Sequence, residues 1–223
     1  MTSIFQRALG PAYYQLHPQL QRRFGISAAD GVACVGRGTM ERVWHSRIIT
    51  RPFLALGARR HILVTGSGRD IPFTIENYAY RDGFGRETVT FARTFWFDTA
   101  QHWDATMIYS AERSAIVDYL GTHQHLAVDL HLTVAEQGGL LIKSGEQRFR
   151  ECGIGLVVPR LLTGVAEVRE RYDDDLDRFC IEVVVTNPVL GPLFGYRGTF
   201  TATYPEHPRV PPWVRPLRET GRA

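Results

Sequence analysis

Residues 125–134 read HLAVDLHLTV, and the alternation is strict: Leu126, Val128, Leu130, Leu132 and Val134 against His125, Ala127, Asp129, His131 and Thr133. Period two over ten residues is the pattern of a half-buried β-strand, because successive side chains leave a strand on opposite faces. The same period recurs on both sides of it. At 71–79, Ile71, Phe73 and Ile75 alternate with Thr74, Glu76 and Tyr78. At 89–97, Val89, Phe91, Phe95 and Phe97 share a face with Arg93. Turn residues punctuate these runs: Arg81-Asp82-Gly83, Gln137-Gly138-Gly139 and Asp173-Asp174-Asp175. Short strands at this spacing predict a mainly β chain, with an antiparallel sheet strongly curved or closed into a barrel.

The first thirty residues obey a different period. Ser3 is an N-cap, followed by Ile4, Phe5, Ala8 and Leu9 at helix spacing. Gly10-Pro11 interrupts, and a second segment over 12–24 places Tyr13, Leu16, Leu20 and Phe24 on one face, with Gly25 as its C-cap. A helical cap over 3–25, packed on one end of the sheet, is the expectation. Two further pieces, near 48–56 and 158–162, carry short helical periodicity.

Residues 31–95 can be laid on 138–200, at offsets that drift from 107 to 105. GVACVGRG (31–38) falls on GGLLIKSG (138–145), Phe73-x-Ile75-Glu76 on Phe179-x-Ile181-Glu182, and Thr94-Phe95 on Thr199-Phe200. The reading is one β-rich domain over 1–204 built of two pseudo-repeated halves. Residues 205–223 hold five of the twelve prolines. They form a tail of polyproline-like or disordered character, with Trp213 available to dock it.

Composition excludes several classes. With 223 residues, 44% of them hydrophobic, the chain is large enough for a substantial core. No apolar run approaches the ~18 residues of a membrane-spanning helix, and the N-terminus has no signal-peptide pattern. The net charge of +3 is spread thinly, without a basic stripe interleaved with aromatics, so nucleic acid is not an expected partner. Three cysteines without CxxC spacing fit a reducing, cytoplasmic setting; Cys34 and Cys180 read as small hydrophobes inside strands, and Cys152 as the more accessible thiol.

The stretches NPVLGPLFGYRGTF (187–200), YLGTHQHLAVDL (119–130), GGLLIKSGEQRF (138–149) and LGPAYYQLHPQLQRRFG (9–25) resemble one bacterial family, domain of unknown function 4166, over roughly residues 5–204. The resemblance carries no reaction and no ligand. Members of that family occur alone or on the C-terminal side of other domains, including saccharopine-dehydrogenase-like nucleotide-binding ones. This chain has no Gly-x-Gly-x-x-Gly between a strand and a helix, so no cofactor is expected.

Candidate chemistry is sparse. His123, His125, Asp129 and His131 share a face by alternation. Four strand residues separate the α-carbons of His125 and Asp129 by about 13 Å, too far for one ion with bonds of ~2 Å. His123 and His125 are therefore weak metal ligands, and a solvent-facing polar strand is the simpler reading. Lys143, among Leu140, Leu141 and Ile142, has the setting of a Schiff-base lysine, against a surface strand-end lysine. Arg93 interrupts an aromatic face, where a guanidinium must be paired or line a cavity. Glu76 and Glu182 are conceivable partners, and Tyr78 and Tyr196 are aromatic lining.

These features predict an apolar pocket that binds a lipid-like or other hydrophobic small molecule, with Arg93, Glu76, Tyr78, Glu182, Tyr196 and Lys143 as candidate contacts. Two other readings use the same residues. One is a cofactor-independent acid/base enzyme, an isomerase, cyclase or decarboxylase. The other is an interaction module for a separately encoded oxidoreductase or membrane protein.

Overall fold

Ser3 caps α1 (Ile4–Leu9) reciprocally: its hydroxyl accepts from the Gln6 N–H, and the Gln6 side chain accepts from the Ser3 N–H. The expected continuous helix over 12–24 divides in two, a 3-10 turn at Gly10–Gln15 and α2 at Pro18–Phe24. Proline is the cause, since the residue before it is driven from the helical region. His17 accordingly sits at ψ 140°. Gly25 closes α2, and the Ser3 hydroxyl donates to the Phe24 carbonyl at 2.8 Å, tying the cap's two ends together.

The computed structural model describes residues 2–46, 64–151, 154–157, 163–206 and 210–221. Its strands are β1 (Ala33–His45), β2 (Gly68–Arg81), β3 (Glu87–Trp96), β4 (Ala100–Ser110), β5 (Ala115–Leu120), β6 (Leu126–Val134), β7 (Leu140–Glu151), β8 (Ile154–Val157), β9 (Val165–Asp173), β10 (Arg178–Asn187) and β11 (Gly191–Thr203). Every pairing is antiparallel, in the order β6-β5-β4-β3-β2-β1-β11-β10-β9-β7-β8. The pairing of β6 with β7 closes ten of these strands into a barrel. β8 folds back on the second half of β7, whose first half pairs with β9. The expected mainly β architecture with a helical cap is what the chain adopts. The helical pieces near 48–56 and 158–162, and Cys152, lie outside the described residues.

Alternation fills the barrel. β2 sends Phe73, Ile75 and Asn77 inward, β3 sends Phe91, Arg93 and Phe95, and β11 contributes Phe194, Tyr196 and Phe200. Burying each large apolar side chain stabilises the fold by roughly 1.5–3 kcal/mol. The cap lies where β3 and β5 begin and β4 and β6 end: Phe5 and Phe24 pack on Phe91 at 5.9 and 6.5 Å, and the His17 N–H donates to the Gly138 carbonyl of the β6–β7 turn. Closure brings β1 and β11 very near each other. A Cβ on Gly38 would fall 2.0 Å from the Thr199 carbonyl oxygen, and one on Gly198 would fall 2.2 Å from that of Thr39. Only glycine fits at either position.

The stretches that align within the sequence fall on β1 and β7, β2 and β10, and β3 and β11. The halves differ by a strand, since β9 lies between β7 and β10 whereas β1 and β2 pair directly. The tail is not a disordered extension over its described part. Val214 is buried with Tyr78, Tyr80, Ala33 and Val35 on the outer face of β1 and β2, and Trp213 meets Tyr78 edge-on at 5.8 Å. Hydrogen bonds carry it onward: the Leu217 N–H donates to the Thr122 carbonyl, the Thr220 N–H to Gln124, and the Gly83 N–H to Glu219. Among the described residues no helix is long and apolar enough to cross a membrane.

Candidate functional site

Arg93 sits in the third strand between apolar neighbours, and the unbroken β2–β3 ladder holds its side chain on the inner face. It is 7% exposed, and its Nε–H donates to the Trp103 carbonyl oxygen at 3.0 Å. The guanidinium lies 4.1 Å from the centre of the Trp103 ring, a cation–π contact in a desolvated setting. Tyr196 faces it from β11, fully buried and edge-on to Phe95 at 5.1 Å and Trp103 at 5.8 Å. Asp118 completes the group from β5.

Asp118 is a buried acid inside AIVDYL, with apolar cross-strand neighbours: Met107 on β4 and Val128 on β6. Burial pushes its carboxyl up to about 7, with the Arg93 charge pulling the other way. Tyr196 is raised for the same reason, with the Arg93 charge and the close approach of that guanidinium to the phenol oxygen acting the other way. Among the described residues, Asp118 Oδ1, the Tyr196 hydroxyl and the Trp103 indole Nε1 are buried without a hydrogen-bond partner. Each such group costs about 1–3 kcal/mol in a protein interior, so their clustering around one cation calls for an explanation. Chemically this is a donor set (guanidinium, indole N–H, phenol and a carboxyl able to hold its proton near neutrality) set among the aromatic side chains of the core.

A second polar group lies nearer the cap. Arg23 of α2 enters the barrel, donating from Nε to Glu170 at 2.6 Å, and from a terminal nitrogen to Asn77 Oδ1 at 2.6 Å and Cys34 Sγ at 3.2 Å. Four phenyl rings, Phe24, Phe91, Phe179 and Phe200, surround the guanidinium at 5.0–5.8 Å. Burial alone would lower the Arg23 pKa; Glu170 outweighs it and holds the cation charged. The arrangement is a bolt between helix and barrel.

The other candidates lie elsewhere. Glu76 and Tyr78 point outward, since the β2 positions between them and around them face the core; the Tyr78 hydroxyl donates to Glu76 at 2.7 Å beneath the tail. Neither Glu76 nor Glu182 is a partner of Arg93. Glu182 is exposed in an outer groove of about 480 Å³, lined by Val165, Glu167, Arg169, Val184 and Thr186. Lys143 is 57% exposed with its Nζ 3.3 Å from Glu167, so it lacks the desolvation a Schiff-base lysine needs. The polar strand at 123–131 is not solvent-facing throughout: His125 is buried against Phe149, and Asp129 is buried by accepting from Arg113 at 2.9 Å and Arg148 at 2.7 Å. Those two arginines hold the Asp129 carboxyl below its usual range in spite of burial, which acts the other way. Among the described residues no three His, Cys, Asp or Glu side chains are grouped to hold a metal.

Three comparisons bear on this geometry. The profile of a family described as "Domain of unknown function (DUF4166)" matches residues 16–200. An uncharacterized protein of Bacillus subtilis (strain 168), YndH, is 35% identical over 201 residues, covering 90% of this chain and 97% of that protein. No solved structure matches the chain.

Proposed function

The chain belongs to the DUF4166 family, and from that premise we propose that its barrel binds a small, largely apolar molecule whose polar end is held at Arg93. The observation that carries this reading is the set of partnerless buried polar atoms, on Asp118, Tyr196 and Trp103, gathered about one guanidinium in an aromatic interior. Apolar walls with a few convergent polar groups are the usual lining of a small-molecule site. The free thiols of Cys34 and Cys180 support a cytoplasmic setting.

Trp103 supplies the test. Its indole N–H resonance is compared, by nitrogen-15 NMR, between the protein as purified and the same full chain after passage over a hydrophobic resin. The expected result is a displaced Trp103 resonance with an unchanged Trp213 resonance, since Trp213 is 60% exposed on the outer face. Coincident Trp103 signals would contradict the reading.

Asp118 favours a second reading, acid/base turnover at the same centre, because a carboxyl that titrates near 7 can both take and give a proton there. The two differ in what leaves the barrel: a binding protein releases the molecule it took up, an enzyme an altered one.

A further inference from the structure

The Arg93 centre holds one permanent positive charge and one acid without an ion pair. Arg93 gives its Nε–H to the Trp103 carbonyl, and Asp118 makes no salt bridge within 4.0 Å among the described residues. A dianion beside Arg93 would leave net negative charge in a low-dielectric interior, and a neutral head would leave the guanidinium uncompensated wherever Asp118 holds its proton. A single carboxylate balances it and matches the guanidinium fork. It also accepts from the Tyr196 hydroxyl and the Trp103 indole. An ionised Asp118 would then be a second negative charge at the same cation.

We propose that the ligand is a monocarboxylate with an apolar body, and that its binding takes up one proton from water onto Asp118, leaving Arg93 paired with the ligand and Asp118 neutral. This deepens the proposed function and rests on it. The group facing Asp118 with a charge is Arg93, from β3; Tyr196, from β11, lies across that arginine, and the neighbours from β4 and β6, Met107 and Val128, are apolar. Glu170 and Arg23 act on Tyr196 with opposite signs. Below about 7 Asp118 is already protonated and the proton costs nothing. Above it, affinity falls as pH rises, because the bound state holds the extra proton. The ligand's own carboxyl, with an ordinary pKa of about 4, stays ionised throughout.

The test is calorimetry on the resin-treated full chain from pH 6 to 9, with dodecanoate, dodecanol and dodecyltrimethylammonium as probes. Dodecanoate is expected to bind roughly 10- to 100-fold more tightly than dodecanol. Arg93→Leu is expected to abolish that advantage, so that dodecanoate and dodecanol bind alike, with circular dichroism of the variant reporting an intact fold. The dodecanoate affinity is expected to fall about tenfold per pH unit above neutrality in the wild type and to stay level in Asp118→Asn. Equal affinity for dodecanol, or preference for the ammonium, overturns the carboxylate; a level wild-type profile overturns proton uptake. If no probe binds while the untreated protein carries an extractable molecule, the carboxylate class falls and the proposed function stands. If no probe binds and nothing is extracted, both fall.

Discussion

Replacing Arg23 by alanine is expected to cost the fold about 3–5 kcal/mol, because one partner of a buried pair is removed and the other is left in the interior. The Arg23 and Glu170 side chains are 1% and 3% exposed, so water cannot rescue the carboxylate. The change also strips Asn77 Oδ1 of its 2.6 Å donor and opens space among four phenyl rings. Urea denaturation followed by circular dichroism reads the effect as a midpoint lowered by roughly 1–5 M, given a slope of about 1–3 kcal/mol per molar. The paired variant Arg23→Leu with Glu170→Leu is expected to recover most of that loss, since neither charge then remains to be buried. A shift of less than about 1 kcal/mol for Arg23→Ala would mean that the cap is not bolted through this residue.

Asp118→Asn is expected to change how stability depends on pH. In the folded protein the carboxyl titrates at about 7, against an ordinary 3.8. A folded-state pKa raised above the unfolded one means that the native protein binds the proton more tightly across that window. Unfolding free energy therefore falls as pH rises from about 4 to about 7, and the loss is complete above it. At ~1.36 kcal/mol per pH unit, the wild type forfeits on the order of 4 kcal/mol that the asparagine variant keeps. The two stability curves, measured by urea titration at several pH values, are expected to lie together near pH 4 and to separate in favour of the variant by pH 8. Parallel curves would place Asp118 in a far more polar setting than its burial gives it.

Much of the barrel was legible in alternation. The patterns at 71–79, 89–97 and 126–134 put Phe73, Ile75, Phe91, Arg93, Phe95, Val128 and Leu130 on one face, and those residues do line the interior. Ser3 and Gly25 marked the helical cap because their roles depend on local geometry alone. Arg93 stood out as a cation on an aromatic face. Asp118 carries the same signal, one acid in the apolar strand AIVDYL. Arg23 offered no such signal. It stands beside Arg22, which stacks on Tyr204 at 3.9 Å, and only the phase of α2 sends one guanidinium into the barrel. Alternation puts Glu76 and Glu182 on polar faces, and the ladders keep Glu76, Tyr78, Glu182 and Lys143 all outside the barrel. Asp129 reads as solvent-facing in the sequence because its partners, Arg113 and Arg148, lie 16 residues before it and 19 after it, beyond any local pattern.

The claim that the barrel is a binding chamber centred on Arg93 meets its most direct test in native mass spectrometry of the freshly purified full chain, with organic extraction of what denaturation releases. The account predicts a discrete small-molecule adduct on the wild type, released on unfolding, with an apolar body and one carboxyl group. A bare protein mass from cells and buffers that never stripped it would contradict the account.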